Sequence, residues 1–315
     1  MVDLSIVVPV YNSEKTLVQL TESLLKVEIG NVELILVNDG SEDGSASVCE
    51  RLTETYNNIV FIDLARNFGE HNAVLAGLRY TSGDYVITID DDMQHSGNEI
   101  LKLYEHIVQN KLDAVFGSFK RRQYAGWRNW GTRIADWTAQ AFLGKPRSLV
   151  LSTFRCLSRR LVNELVSYKG PYPYIDGMIL KLTSRVANCL VSHFPRKAGK
   201  SNYTMRRLLR LWSHILFNFS VKPLRLSLSI GCIFFVLAAL GVLYVLVDKM
   251  VGGSDAPGWA SLMIVVLIFS GLQFIFLGLI GEYIGRIYMS VGGLPQSSVY
   301  RIIYSSNEEM NKKEP

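Results

Sequence analysis

Three consecutive acids, Asp90, Asp91 and Asp92, follow an uncharged run of β-branched and aromatic residues, Tyr85-Val86-Ile87-Thr88-Ile89. The run reads as a buried strand. Alternate side chains of an extended segment point to opposite sides, so Asp90 and Asp92 are expected on one face with Asp91 turned away. Two hard oxygen ligands on one side suit a divalent cation that keeps positions open for phosphate. The same acids would also favour the N-terminus of the helix expected over 96–109. A D-x-D is too short to choose between the two readings, and its neighbours decide.

The elements that must position these acids follow from an alternation. Short apolar runs at 4–10, 33–38, 59–64, 84–89 and 113–117 are separated by helix-length segments. That order predicts an α/β domain with a mostly parallel sheet and helices on both faces. Ligands of such sheets collect at the carboxyl ends of the strands, where the polar candidates stand. Tyr11 and Asn12 follow the first run, Asp39-Gly40-Ser41 the second, Arg66-Asn67 the third, and residues 90–94 the fourth. Asp39 is read either as the acceptor of a nucleobase N–H, with Tyr11 against the base, or as part of a turn and helix cap. Arg66 and His71 read equally as surface residues, and His71 is given no role. A G-x-G-x-x-G is absent, which argues against a dinucleotide site and leaves phosphate binding to a cation.

Nearly half of the residues are apolar, 49%, which fits a soluble domain joined to a membrane part better than two soluble domains. The net charge of +5 comes with basic residues crowded between 120 and 225. Anionic lipid and phosphate are the expected partners of that stretch, and nucleic acid is not. Cys49, Cys156, Cys189 and Cys232 show no ligand spacing and read as reduced residues, which argues for a cytosolic catalytic part. Asp3 precedes only a short apolar run, so no signal peptide is expected.

Residues 226–247 and 259–281 contain no charge and are each long enough to span a bilayer. The linker between them is short, so they are expected to form a hairpin. Lys222, Arg225, Arg286 and Arg301 flank its outer ends, while the linker holds only Lys249 against Asp248 and Asp255. The positive-inside rule then puts the first domain and the 285–315 tail in the cytoplasm, at the inner membrane. Trp127, Trp130, Ile134, Trp137 and Ala141 recur at helical spacing, as do Leu208, Trp212, Ile215 and Phe219. They predict amphipathic helices near 127–143 and over 203–225; the first reads equally as core packing, the second as interfacial. Glu282 and Arg286, one turn apart, are expected to pair.

Together, Val7-Val8-Pro9-Val10-Tyr11-Asn12, Val37-Asn38-Asp39-Gly40-Ser41, Arg66-Asn67-Phe68-Gly69 and Asp90-Asp91-Asp92-Met93-Gln94 resemble family 2 glycosyltransferases with the GT-A (Rossmann-like) fold. The resemblance implies that Asp90, Asp92 and Gln94 hold Mg²⁺ or Mn²⁺ against the donor diphosphate. It also implies that Pro9, Tyr11, Asn12, Asp39, Ser41 and Arg66 line the nucleotide pocket. Arg196-Lys197-Ala198-Gly199-Lys200-Ser201-Asn202-Tyr203 and Gly281-Glu282-Tyr283-Ile284-Gly285-Arg286 are similar to segments of the polyprenyl-phosphate branch. By that similarity Arg196, Lys200, Ser201 and Tyr203 would grip phosphate, joined by Lys120 and Arg128. The chain departs from the family at Ser13, where an acid is common, and over 149–155, where relatives commonly carry an aspartate and glycines and only Phe154-Arg155 matches well.

These readings imply a GT-A domain over 1–202, the 203–225 helix, the transmembrane hairpin within 226–284, and the tail. The expected activity is metal-dependent, inverting transfer of one sugar from a nucleotide sugar, a UDP-sugar favoured, to polyprenyl (undecaprenyl) phosphate for the cell envelope. A phosphate acceptor needs little help losing a proton, so a carboxylate base is optional, with Asp91 the candidate. A processive polysaccharide synthase is disfavoured by the missing Q-x-x-R-W, and a non-catalytic nucleotide-sugar-binding subunit by the intact Asp90 and Asp92. Self-association into a homo-oligomer is a further expectation from the resemblance.

Overall fold

The computed structural model describes residues 2–119, 140, 145–170, 173–192, 222–250, 258–292 and 295–305. The chain divides into two units, Met1–Trp212 with Leu294–Pro315, and Ser213–Gly293.

In the first unit, β1 (Leu4–Val10), β2 (Val32–Asn38), β3 (Ile59–Leu64) and β4 (Tyr85–Thr88) are connected through α1 (Leu17–Leu25), α2 (Ser45–Thr55) and α3 (Glu70–Leu78). All the pairings among these strands are parallel. Their near-continuous apolar sequences follow from coverage on both faces, which leaves no strand a wet side. Leu4, Ile6, Val7 and Val8 of β1 are all fully buried, as are Leu34, Ile35, Leu36 and Val37 of β2.

After β4 the regular alternation ends. Helix α4 (Gly97–Gln109) leads to β5 (Ala114–Ser118), and β6 (Arg155–Ser158) then inserts between β4 and β5, antiparallel to both. Helices α5 (Arg159–Val166) and α6 (Ile175–Leu182) precede β7 (Val186–Leu190), which is parallel to β5. A last strand, β8 (Val299–Tyr304), lies antiparallel along β3. The sheet order is β7-β5-β6-β4-β1-β2-β3-β8, mostly parallel as expected, with β6 and β8 as additions.

Strand β8 lies within the stretch read as a tail. Val299-Tyr300-Arg301-Ile302-Ile303-Tyr304 is β-branched and aromatic, a composition that favours a half-buried strand. Arg301 anchors it, donating to Asp63 at 3.1 Å and to Glu50 at 3.1 and 3.2 Å. Gln296 reinforces this attachment by accepting from Arg79 at 2.9 Å and donating to the carbonyls of Tyr168 and Gly170.

The second unit holds α7 (Lys222–Met250) and α8 (Trp259–Val291), of 29 and 33 residues, about 43 and 50 Å long at ~1.5 Å per residue. They enclose the runs 226–247 and 259–281. Phe234 of α7 meets Phe269 of α8 edge to face at 5.6 Å. Among the described residues, one segment, Ile268–Val291, is long and apolar enough to cross a membrane by length and composition, with mean hydropathy 1.5. Leu228, Phe274 and Ile275 are exposed in this unit, an outward apolar surface of the kind that marks contact with lipid or protein. Arg286 pairs with Glu282 at 2.5 Å, as their spacing predicts. Apart from residue 140, the helix expected near 127–143 lies outside the described residues, as do the boundary at 202 and the 203–221 part of the expected juxtamembrane helix; residues 222–225 open α7.

Candidate active site

The loops at the carboxyl ends of β1 to β4 hold their shape through bonds to one another. Asn12 N donates to Ser41 Oγ at 3.0 Å, and Glu42 N donates back to Asn12 Oδ1 at 2.9 Å. Ser13 N donates to Ser45 Oγ at 2.8 Å. The β2 loop is bound in turn to the β3 loop: Asp39 Oδ1 accepts from Phe68 N at 2.7 Å, and Oδ2 from Gly69 N at 2.9 Å. Burial pushes the Asp39 carboxyl up, and those two amides oppose the shift. Gly40 permits the close approach, since its φ is +62° and a Cβ there would stand 2.4 Å from Asn67 N. The described partners of Asp39 are these two amides of the β3 loop, and the helix that follows, Ser45–Thr55, has no side-chain cap.

Beside this platform the acid triplet splits. Strand β4 ends at Thr88, earlier than the run 84–89 predicts, and Asp91 and Asp92 lie in a turn followed by Met93 at φ 58°. Pleat alternation therefore does not operate across the triplet; loop geometry separates the side chains instead. Asp91 Oδ2 accepts from Tyr11 N at 3.0 Å and Ser13 Oγ at 2.5 Å, on the β1 side. Asp90 Oδ2 accepts from Thr153 Oγ1 at 2.7 Å, on the β6 side. These are the two neighbours of β4 in the sheet, so the adjacent acids diverge. Asp92 Oδ1 accepts from Gln94 N at 3.2 Å, which curls the turn back on itself.

Enclosure of these acids has an electrostatic cost. Burial pushes the Asp90 carboxyl up to about 6, Thr153 opposes the shift, and the Asp92 and Asp91 charges add to it. Asp91 is also raised by burial, against the bonds from Ser13 and Tyr11. The departure at Ser13 has a physical reason here, because an acid at that position would set a second carboxylate against Asp91.

Tyr11 remains 46% exposed, so a rigid backbone presents an open aromatic face. Arg66 lies with its guanidinium 4.8 Å from the centre of the Phe68 ring. Pro9 stands past Val7–Thr88, the last register pair between β1 and β4. His71, given no role, meets Tyr174 edge to face at 5.3 Å. Lys120, Arg128, Arg196, Lys200, Ser201 and Tyr203 lie outside the described residues. Among the described residues no group of three His, Cys, Asp or Glu converges as a metal cluster.

Thr153 and Asp176 carry no signal in the sequence, and Arg155 shows there only as part of the family-like pair Phe154-Arg155. Arg155 is fully buried in β6 and ion-paired with Asp176 of α6. A lone arginine in Phe154-Arg155-Cys156-Leu157 was the available signal, since buried arginine is rare unless paired.

The loop platform and split triplet occupy residues 5–165, and that stretch matches the family described as glycosyl transferase family 2. The chain belongs to that family. Residues 222–287 of this family 2 glycosyltransferase match the GtrB C-terminal hairpin. It is 32% identical over 98% of its length to an undecaprenyl-phosphate 4-deoxy-4-formamido-L-arabinose transferase of Pseudomonas savastanoi pv. phaseolicola, of which 93% is covered. A protein of the same description from Pseudomonas fluorescens is 33% identical over 95% of this chain and 89% of its own. Glucosyl-3-phosphoglycerate synthase of Mycobacterium tuberculosis, solved with Mn²⁺, uridine diphosphate and phosphoglyceric acid, superposes with a TM-score of 0.51 at 19% identity. The match covers 68% of this chain and 75% of that one. That likeness bears on the fold, and the sheet unit of the glycosyltransferase has the GT-A fold.

Proposed function

We propose that this glycosyltransferase moves a single sugar from a nucleotide diphosphate sugar, a UDP-sugar by preference, to undecaprenyl phosphate at the cytoplasmic face of the inner membrane. The observation that carries the donor half is the split of the triplet: Asp91 is taken by the β1 loop, Asp90 bonds on the β6 side and Asp92 within its own turn, while the Tyr11 ring stays exposed. The lipid half is supported by near full-length similarity to undecaprenyl-phosphate transferases, including the 222–287 hairpin, and by the apolar exterior of α7 and α8.

The residues fit a divalent cation. Asp90 and Asp92 supply carboxylate oxygens without thiolate or imidazole, and Gln94 adds an amide, a hard donor set that leaves other positions to phosphate and water. Bound there, Mg²⁺ or Mn²⁺ would take up negative charge on the leaving diphosphate. Tyr11 offers its face to the base, with Pro9, Asn12, Ser41 and Arg66 around it. Asp39 shapes this pocket by binding the amides of residues 68 and 69, and its remaining lone pairs are assigned to a base N–H.

In the transfer, an oxygen of the acceptor phosphate attacks the anomeric carbon while the bond from that carbon to the donor diphosphate breaks and the diphosphate leaves with the electron pair. Attack opposite the leaving group inverts the centre. The acceptor is already ionised near neutral pH, so the protein's task is to bring two anions together. Lys120, Arg128, Arg196, Lys200, Ser201 and Tyr203 are assigned to that phosphate. We assign residues 1–202, joined by β8, to the cytoplasmic catalytic domain, 203–225 to the juxtamembrane helix, whose last four residues open α7, and 226–284 to the two spans of a multi-pass anchor; self-association is part of the same reading.

Transfer of radiolabelled sugar to a short-chain polyprenyl phosphate tests the proposal. Asp92→Asn is expected to abolish transfer in a protein that stays folded, and a panel of nucleotide sugars identifies the donor. Unchanged turnover in Asp92→Asn would remove the metal role.

A further inference from the structure

Asp90 is held from behind by a directed chain of bonds. Thr153 gives its hydroxyl proton to Asp90 Oδ2 at 2.7 Å, and among the described residues nothing donates to Oδ1. Thr153 stands directly before the Phe154-Arg155 pair that leads into β6. It is fixed in turn, because its carbonyl accepts the Thr88 hydroxyl at 2.6 Å. The Thr88 oxygen accepts Nε–H of Arg155 at 3.1 Å. Arg155 is fully buried, gives Nη1–H to Asp176, and has a buried Nη2 with no partner among the described residues.

Each hydroxyl carries one proton, and both protons are committed. Thr88 cannot turn without abandoning a carbonyl, and Thr153 cannot turn without abandoning a carboxylate. The arrangement selects an oxygen: Oδ2 is taken and Oδ1 is not. It also anchors the acid to an ion pair that joins β6 to α6, two elements far from the acids in sequence.

We propose that Thr153, backed by Thr88 and the Arg155–Asp176 pair, is a positioning residue that holds the Asp90 carboxylate with Oδ1 presented to a divalent cation. The inference rests on the metal role assigned to Asp90 above. Partners that orient a ligating carboxylate govern metal affinity, and losing one costs about 10–100-fold. A bond that merely tied the 149–155 loop to β4 would affect stability and leave metal affinity alone.

The test is Mn²⁺ binding to the full-length protein in detergent, with free Mn²⁺ counted by electron paramagnetic resonance and no nucleotide present. Thr153→Val removes the donor at nearly constant volume and is expected to weaken binding about tenfold. Thr153→Ser keeps the donor and is expected to stay within about twofold of wild type. Thr153→Ala, which adds no bulk, must show the same loss as Thr153→Val and decides the matter should the valine variant fail to fold. If Asp90→Asn loses Mn²⁺ while Thr153→Ala binds it as wild type does, the positioning role is overturned and the metal reading stands. If Asp90→Asn binds Mn²⁺ unchanged, the metal reading fails and takes this inference with it.

Discussion

The backbone amide of Tyr11 donates to Asp91 Oδ2 at 3.0 Å across 80 positions of chain. Through this bond the acid loop fixes the backbone beneath the exposed Tyr11 ring, which we propose lies against a nucleobase. On the proposal that Asp91 orients the β1 loop, it need not accept a proton from the acceptor. Asp91→Asn, which keeps an oxygen for the Tyr11 amide, is expected to leave kcat within about threefold, whereas Asp91→Ala raises the donor KM about tenfold. Steady-state kinetics separates the roles, because a collapse of kcat by orders of magnitude in Asp91→Asn is the signature of a general base.

At Gly40 the β2 loop comes close to the backbone of the β3 loop. Alanine there meets Asn67 N and Arg66 C at 2.4 and 2.5 Å, in a backbone at φ +62°. Strain and overlap together are expected to cost about 3 kcal/mol. Thermal melting of Gly40→Ala in detergent should show the loss. Donor binding should weaken as well, because Asp39 can no longer hold both loop amides.

Removing residues 293–315 strips β8 from β3 and leaves that strand as an open edge. The truncated protein is expected to melt lower and to aggregate, as size-exclusion chromatography would show. Arg301→Ala alone is expected to cost at most about 1 kcal/mol, because the side chain is 36% exposed and solvent screens its pairs with Glu50 and Asp63. A truncation no worse than Arg301→Ala would mean that β8 contributes little beyond its ion pairs.

Asp113 supplies a pH dependence. Burial pushes its carboxyl up, but bonds from Thr183 and Arg160, with the Arg160 charge, outweigh that and hold it below the ordinary value of 3.8. A depressed folded-state value means the ionised form is favoured by folding. Its stabilisation is therefore complete well above 3.8 and is lost as pH falls through the lower folded value. The difference in melting temperature between wild type and Asp113→Asn should be constant from neutral pH down to the mid-acid range, then shrink towards pH 3 and below. A gap that widened on acidification would contradict the assignment.

Strands β1 to β5 were legible in the sequence because each is a short apolar run, and apolar runs report burial directly. Tyr11, Asp39, Arg66 and the triplet were legible because a parallel sheet gathers its polar residues at strand ends. The charge-free runs within α7 and α8 announced two long helices for the same local reason. What the tertiary structure alone decided is which partner each polar group takes. Asp91 meets Tyr11 and Ser13, Asp39 meets the 68–69 amides, Asp90 meets Thr153, and Arg155 meets Asp176. The first three join segments that sheet order, and not sequence distance, makes neighbours, and the last ties β6 to helix α6. The insertion of β6 beside β4 and of β8 beside β3 belongs to the same class, since pairing partners are set by where chain crossovers land.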